Sequence, residues 1–149
     1  VGATCYKPIL LEGSMQREIT AHNDGYGLNE ALRLTCDERD PSAGNASHTY
    51  FGDMENPTLA PDGGKCMEVL HIQFQHGPRD VEGSVPGVTD VAVLQVIIDR
   101  YEGFQAGPFA CRENQQVLDA LLTAKAHMVM RANTRAVQKV LGKNEQHRS

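Results

Sequence analysis

Apolar residues in the first half of the chain come in short runs, CYKPILLEG, EALRLTC, HTYF and KCMEVLHIQFQ, broken by Gly, Pro, Asn and Asp. That punctuation predicts a small antiparallel sheet. Its best strand spans Met67 to Gln75, with Met67, Val69, His71, Gln73 and Gln75 facing one way and Glu68, Leu70, Ile72 and Phe74 the other. Residues 52–64, GDMENPTLAPDGG, read as a polar loop insertion. Near residue 88 the period becomes helical. Thr89 suits an N-cap and Asp90 the first turn, and Leu94, Ile97, Ile98 and Tyr101 form an apolar stripe at i, i+3, i+4 and i+7. A second helix is expected from Pro108, whose missing N–H would be unpaired at a first helical position, to about Leu141, where Gly142 offers a left-handed cap. A short bend between two helices makes an αα-hairpin. The fold class is therefore α+β: an N-terminal antiparallel β-sheet followed by a C-terminal two-helix hairpin. We expect a single domain over residues 1–149, with a β-rich part at 1–88 and the hairpin at 89–142.

The second helix carries most of the candidate chemistry. Read by threes and fours, one face presents Asn114, Leu118, Leu121, Lys125, Met128, Ala132 and Arg135, with Arg131 adjoining. Leu and Met at this spacing form a packing seam. Asn114, at its head, needs hydrogen-bond partners if buried, whether it sets register or binds a ligand. Arg131 and Arg135 lie four apart, a spacing that projects a double guanidinium able to grip phosphate oxygens with forked bonds. The same pair also suits a solvated basic end that complements the helix dipole. Asn114 and Arg131 are about 25 Å apart along a helix rising roughly 1.5 Å per residue, so one small ligand cannot bridge both ends of one copy. If both ends serve one site, two copies must pack antiparallel, which requires at least a dimer.

The bend, GFQAGPFACREN at 103–114, strings two phenylalanines on a Gly-Pro link where polar turn residues would be ordinary. Phe104 and Phe109 can stack on a purine, worth roughly 1–3 kcal/mol per base in nucleic-acid systems, or they can plug the hairpin corner. Backbone amides after Pro108, with Arg112, can receive an anion. FQAGP at 104–108 echoes FQHGP at 74–78, and five residues are too few to establish a repeat.

Composition narrows the classes. A hydrophobic fraction of 40% with 22% charged residues over 149 positions is that of an ordinary soluble domain, and the apolar runs are far short of a membrane span. A formal net charge of −5 argues against a nucleic acid polymer as partner, since such binders carry a dominating basic field. The opening residues show no basic flank ahead of an apolar run and are read as no secretory leader. Cys5, Cys36, Cys66 and Cys111 are scattered without a C-x-x-C pair and read as reduced, mostly buried cysteines. No metal-ligand spacing is evident among the six histidines.

The stretches YKPILLEG, REITAHNDGYG, GNASH-x-Y, I-x-FQHGP, GVTD, DRYEGFQAGPFACREN and R-x-N-T-R, in this order, resemble the Thoeris anti-defence 1 family of phage sponge proteins. The helical hairpin of that family is similar to that of the phage anti-CBASS cyclic-nucleotide sponge. The resemblance implies a protein that is not an enzyme and uses no cofactor. It implies sequestration of cyclic ADP-ribose isomers such as gcADPR in the cytoplasm of the infected bacterial host, with cyclic di- or trinucleotides at separate sites of a homohexamer. It implies ligand contacts from Phe104, Asn114, Arg131 and Arg135, in a pocket between protomers. From the bend itself, Arg112, Gln105, Gly107 and Pro108 are further ligand-binding candidates.

One stretch departs from the family pattern. Relatives commonly carry G-V-N-G-x-T-N before the first helix, where this chain has SVPGVTD, with Pro86 and Asp90 replacing two asparagines. Proline lacks both the side-chain amide and the backbone donor, so a cyclic-oligonucleotide contact made there by relatives is expected to change or disappear. Two rival classes stand beside the sponge. One is an enzyme that cleaves the signal, with His48, His71 or Glu113 as acid and base; the other is a hairpin oligomer with no ligand.

Overall fold

The computed structural model describes residues 16–22, 25–55, 66–143 and 145–146. The opening run CYKPILLEG, with Cys5, therefore lies outside the described residues. The described chain divides into two compact units between Gln73 and Phe74.

The first unit is a four-stranded antiparallel meander in the order β1 (Gln16–Ile19), β2 (Leu32–Asp37), β3 (Thr49–Glu55) and β4 (Cys66–Gln73). The register places Leu32, Leu34, Cys36, Leu70 and Ile72 on one face. The other carries Glu18, Arg33, Asp53, Glu68 and His71, together with the buried Thr35 and Phe51. Gly52 sits in the apolar face because nothing larger fits. A Cβ there would lie 2.9 Å from Leu70 Cβ and 3.1 Å from Leu34 Cδ2.

Strict alternation along β4 fails at one point. Gly52 pairs with Leu70 and Asp53 with Glu68, so Val69 is the extra residue of a β-bulge. The bulge moves Glu68 onto the face of His71, where the two approach at 4.0 Å, and moves Met67 onto the face of Leu70 and Ile72. The expected assignment of Met67 and Val69 to the His71 face is thereby corrected. Residues 52–55, expected in a loop, continue β3 because the paired strand β4 takes up their backbone groups; residues 56–65 lie outside the described residues.

On this polar face the carboxyl of Asp53 is held above the ordinary aspartate range. Burial is the main cause, followed by the neighbouring charge of Glu68, and Arg33 partly offsets both. Arg33 in turn approaches Glu18 at 3.8 Å. Phe51 stacks on the His71 ring at 4.7 Å.

The second unit opens with a loop that closes on itself. His76 and Val85 exchange backbone hydrogen bonds of 2.9 and 2.8 Å, and Gln75 N–H donates to Val88 O at 2.9 Å. Helix α1 (Asp90–Ala106) follows, capped as expected by Thr89, whose hydroxyl accepts from Ala92 N–H at 3.3 Å. Ile98 is its most buried residue; Leu94 and Tyr101 flank it, while Ile97 stands at the exposed edge. Helix α2 (Arg112–Val137) returns against α1. Its least exposed positions include all seven of the predicted face, from Asn114 through Leu118 and Met128 to Arg135. Lys125 sits in this seam because its ammonium donates to Gln95 Oε1 across the hairpin at 2.6 Å. No described helix is long and apolar enough to cross a membrane.

Both ends of α2 differ from expectation. It starts at Arg112, since Pro108 and Phe109 form a turn in which Ala110 N–H donates to Gly107 O, and it stops at Val137, where Gln138 is the cap. Gly142 is left-handed at φ +74°, but belongs to a later turn rather than to the helix end.

Candidate functional site

Side-chain hydrogen bonds build the hairpin bend. Gln105 Oε1 accepts from Cys111 N–H at 2.9 Å, while its amide donates to Gln115 Oε1 at 3.2 Å and Gln115 donates on to Asp119. Cys111 is exposed rather than buried because its sulfur caps α2, accepting from Asn114 N–H at 3.4 Å. Sulfur is a weak acceptor, so this cap is softer than a Ser or Asp cap. Cys36, by contrast, is fully buried, and both are free thiols.

The FQ-x-GP echo has a shared physical content. Gln75 Oε1 accepts from Gly87 N–H at 3.0 Å, as Gln105 Oε1 accepts from Cys111 N–H, so each glutamine ties a backbone amide beyond its Gly-Pro turn.

Phe104 stands beside the bend, on the last turn of α1, half-buried. Tyr101 meets its ring edge-on at 5.7 Å, and the guanidinium carbon of Arg100 lies 4.9 Å from its centroid. Arg100 escaped the sequence reading because Phe104 was placed outside the helix. With α1 running through Ala106, the i, i+4 spacing of Arg100 and Phe104 puts the two on one face. Phe109 is 73% exposed and stands open at the tip.

Asn114 spends its amide on Phe109 O at 2.9 Å, which leaves Oδ1 as its available acceptor. Arg112 is the first residue of α2 and is exposed, so its charge opposes rather than complements the positive end of the helix dipole. Pro108 is exposed at the turn and Gly107 caps α1 in extended backbone.

At the far end Arg131 is exposed, whereas Arg135 is only 8% exposed. Arg135 turns its guanidinium into the returning C-terminal segment and donates to Val140 O at 2.8 Å, Lys143 O at 2.8 Å and Glu145 O at 3.1 Å. The two arginines therefore do not form the double guanidinium that their spacing predicts. Within one chain the structure groups Phe104, Gln105, Gly107, Pro108, Arg112 and Asn114 at the bend. Arg131 and Arg135 lie at the other end of the 26-residue α2, about 25 Å away along the helix axis.

Between these ends α2 carries a second apolar strip, Leu122, Ala126, Val129, Met130 and Val137, lining an open groove with Asn133. Val137 is 83% exposed and Met130 60%, an unusual amount of apolar side chain to leave in water.

Of the residues named for catalysis, His48 donates its backbone N–H to Asp37 Oδ1 at 2.9 Å, His71 stacks on Phe51, and Glu113 lies in the first turn of α2, where its charge suits the dipole.

A search of curated protein sequences finds no match to the chain. Residues 67–136 match the family model described as Acb2/Tad1, hairpin domain, a span from β4 through nearly all of α2. Over that span, just under half of the chain, the sequence matches the hairpin domain of the Acb2/Tad1 family, a family of cyclic-nucleotide sponges.

Proposed function

We propose that this protein is a phage anti-defence sponge that binds a cyclic ADP-ribose isomer of bacterial Thoeris immunity and withholds it without cleaving it. It would act in the cytoplasm of the infected host. The observation that carries the reading is the chemistry of the bend. An aromatic face at Phe104, a guanidinium beside it at Arg100 and an amide oxygen at Asn114 lie on adjoining helix ends of a matched sponge hairpin. Phe104 stacks the adenine, and Asn114 Oδ1 accepts from a ligand N–H or O–H. Arg131 and Arg135 of a neighbouring copy grip the pyrophosphate.

The separation along α2 supports a shared site, because the bend and the two arginines cannot reach one small ligand in a single chain. The exposed strip from Leu122 to Val137 supports the same conclusion, since pairing it against another copy removes apolar surface from water at about 25 cal/mol per Å². We take the assembly as at least a dimer, with a hexamer as the expected form.

Heat release tests the reading. The protein is incubated with a cyclic ADP-ribose isomer and denatured, and the released small molecule is assayed. Intact, active signal is the expected result. A converted product means an enzyme, and absence of any thermal shift with the isomer means no ligand of this class, because a tight ligand raises the melting temperature by mass action. Cyclic di- and trinucleotides, titrated in parallel, report whether the sequence around Pro86 and Asp90 still supports their binding.

A further inference from the structure

Beyond α2 the chain makes a compact hook. Lys139 takes a left-handed conformation at φ 58°, and Val140 N–H donates back to Arg135 O at 3.0 Å. Val140 is 3% exposed, and Lys143 N–H donates to Val140 O at 3.1 Å. Gly142, left-handed at φ +74°, packs beside Pro78, where a Cβ would lie in ordinary contact at 3.4 Å from its Cα. The result brings three carbonyls, of Val140, Lys143 and Glu145, onto one guanidinium.

Donor counting shows what the hook withholds. A guanidinium has five N–H groups, and its two paired edges are Nη1 with Nη2 and Nε with Nη2. Each edge needs one Nη2 hydrogen. Val140 O and Lys143 O take both of them at 2.8 Å. In this state Arg135 cannot offer a phosphate a fork. Its charge is also unanswered, for no carboxylate pairs with it among the described residues. A buried cation held only by neutral carbonyls still favours an anion, and a charged phosphate oxygen forms the stronger bond.

We propose that the hook of residues 138–143 with Glu145 is a latch on Arg135, and that an anionic ligand takes this arginine only as Val140 O or Lys143 O lets go. The inference rests on the reading that Arg135 grips the ligand's pyrophosphate. Ligand binding and hook closure then compete, so anything that loosens the hook tightens binding.

Hydrogen exchange on the full chain, with and without a cyclic ADP-ribose isomer, follows the amides of Val140 and Lys143. Calorimetry establishes occupancy in the same samples. The expected result is exchange faster by about tenfold or more at both amides in the bound protein. Unchanged or slower exchange in a protein that demonstrably binds the isomer overturns the latch and leaves the sponge reading standing. Failure of the isomer to bind overturns both.

Two variants give opposite signs. Gly142→Ala strains a left-handed position and loosens the hook, which should lower Kd by about three- to tenfold. Lys139→Gly relieves the strain of a left-handed lysine, which should raise Kd by about two- to fivefold. Equal Kd values for both variants and the unaltered protein count against the latch.

Discussion

Replacing Arg135 by Ala distinguishes a caged cation from a solvated one. The substitution removes three charge-assisted hydrogen bonds, and their surroundings set the magnitude. The bond to Val140 O is buried, while those to Lys143 O and Glu145 O are only partly so. A bond to a charged group contributes about 1.5–3 kcal/mol when its partner cannot rehydrate, and much less where water replaces it. The buried bond therefore dominates, and adding reduced contributions from the other two gives a cost of about 2–4 kcal/mol. Arg131→Ala, at an exposed position, should stay within about 0.5 kcal/mol. Thermal melts followed by far-UV circular dichroism, with both variants in one buffer, read this as a Tm drop of roughly 4–16 °C for Arg135→Ala alone. If the two variants melt within about a degree of each other, the carbonyl cage does not hold Arg135 and contributes nothing to stability. The contrast also bears on ligand binding. Weakened affinity in Arg135→Ala must be corrected for lost folding, whereas in Arg131→Ala it reports contact directly.

Three further outcomes follow from the geometry. Gly52→Ala should destabilise the sheet by about 1–3 kcal/mol in urea unfolding, because the new methyl enters the 2.9 Å approach to Leu70 Cβ. Asp53 has a folded-state pKa above its unfolded value, so the folded protein holds the proton more tightly between the two values. Stability at this site therefore rises as pH falls from neutral through the folded pKa and is lost as pH rises again. Asp53→Asn should raise Tm at neutral pH and flatten the gain on acidification, and an unchanged pH profile would contradict the assignment. Cys111→Ser replaces a thiol cap by a hydroxyl at the start of α2 and should stabilise the hairpin by about 0.5–1 kcal/mol in the same melts.

Much of the hairpin was legible in the order of residues. The N-cap at Thr89 and the seam from Asn114 to Arg135 emerge as read, because hydrophobic period and capping are local properties of a single helix. The antiparallel sheet and the α+β class follow from the same local signals. What the sequence left undecided depended on where distant backbone groups end up. The bulge at Val69 arises from pairing with β3 and cannot be read from alternation along β4 alone. The start of α2 moved to Arg112 because Gln105 captures the Cys111 amide, a contact six residues long made by a flexible side chain. Arg135 is the sharpest case. By spacing it belongs beside Arg131, yet carbonyls five to ten residues further on, turned back through Lys139 and Gly142, take its guanidinium. A long polar side chain goes where its acceptors are, and only the tertiary structure places them.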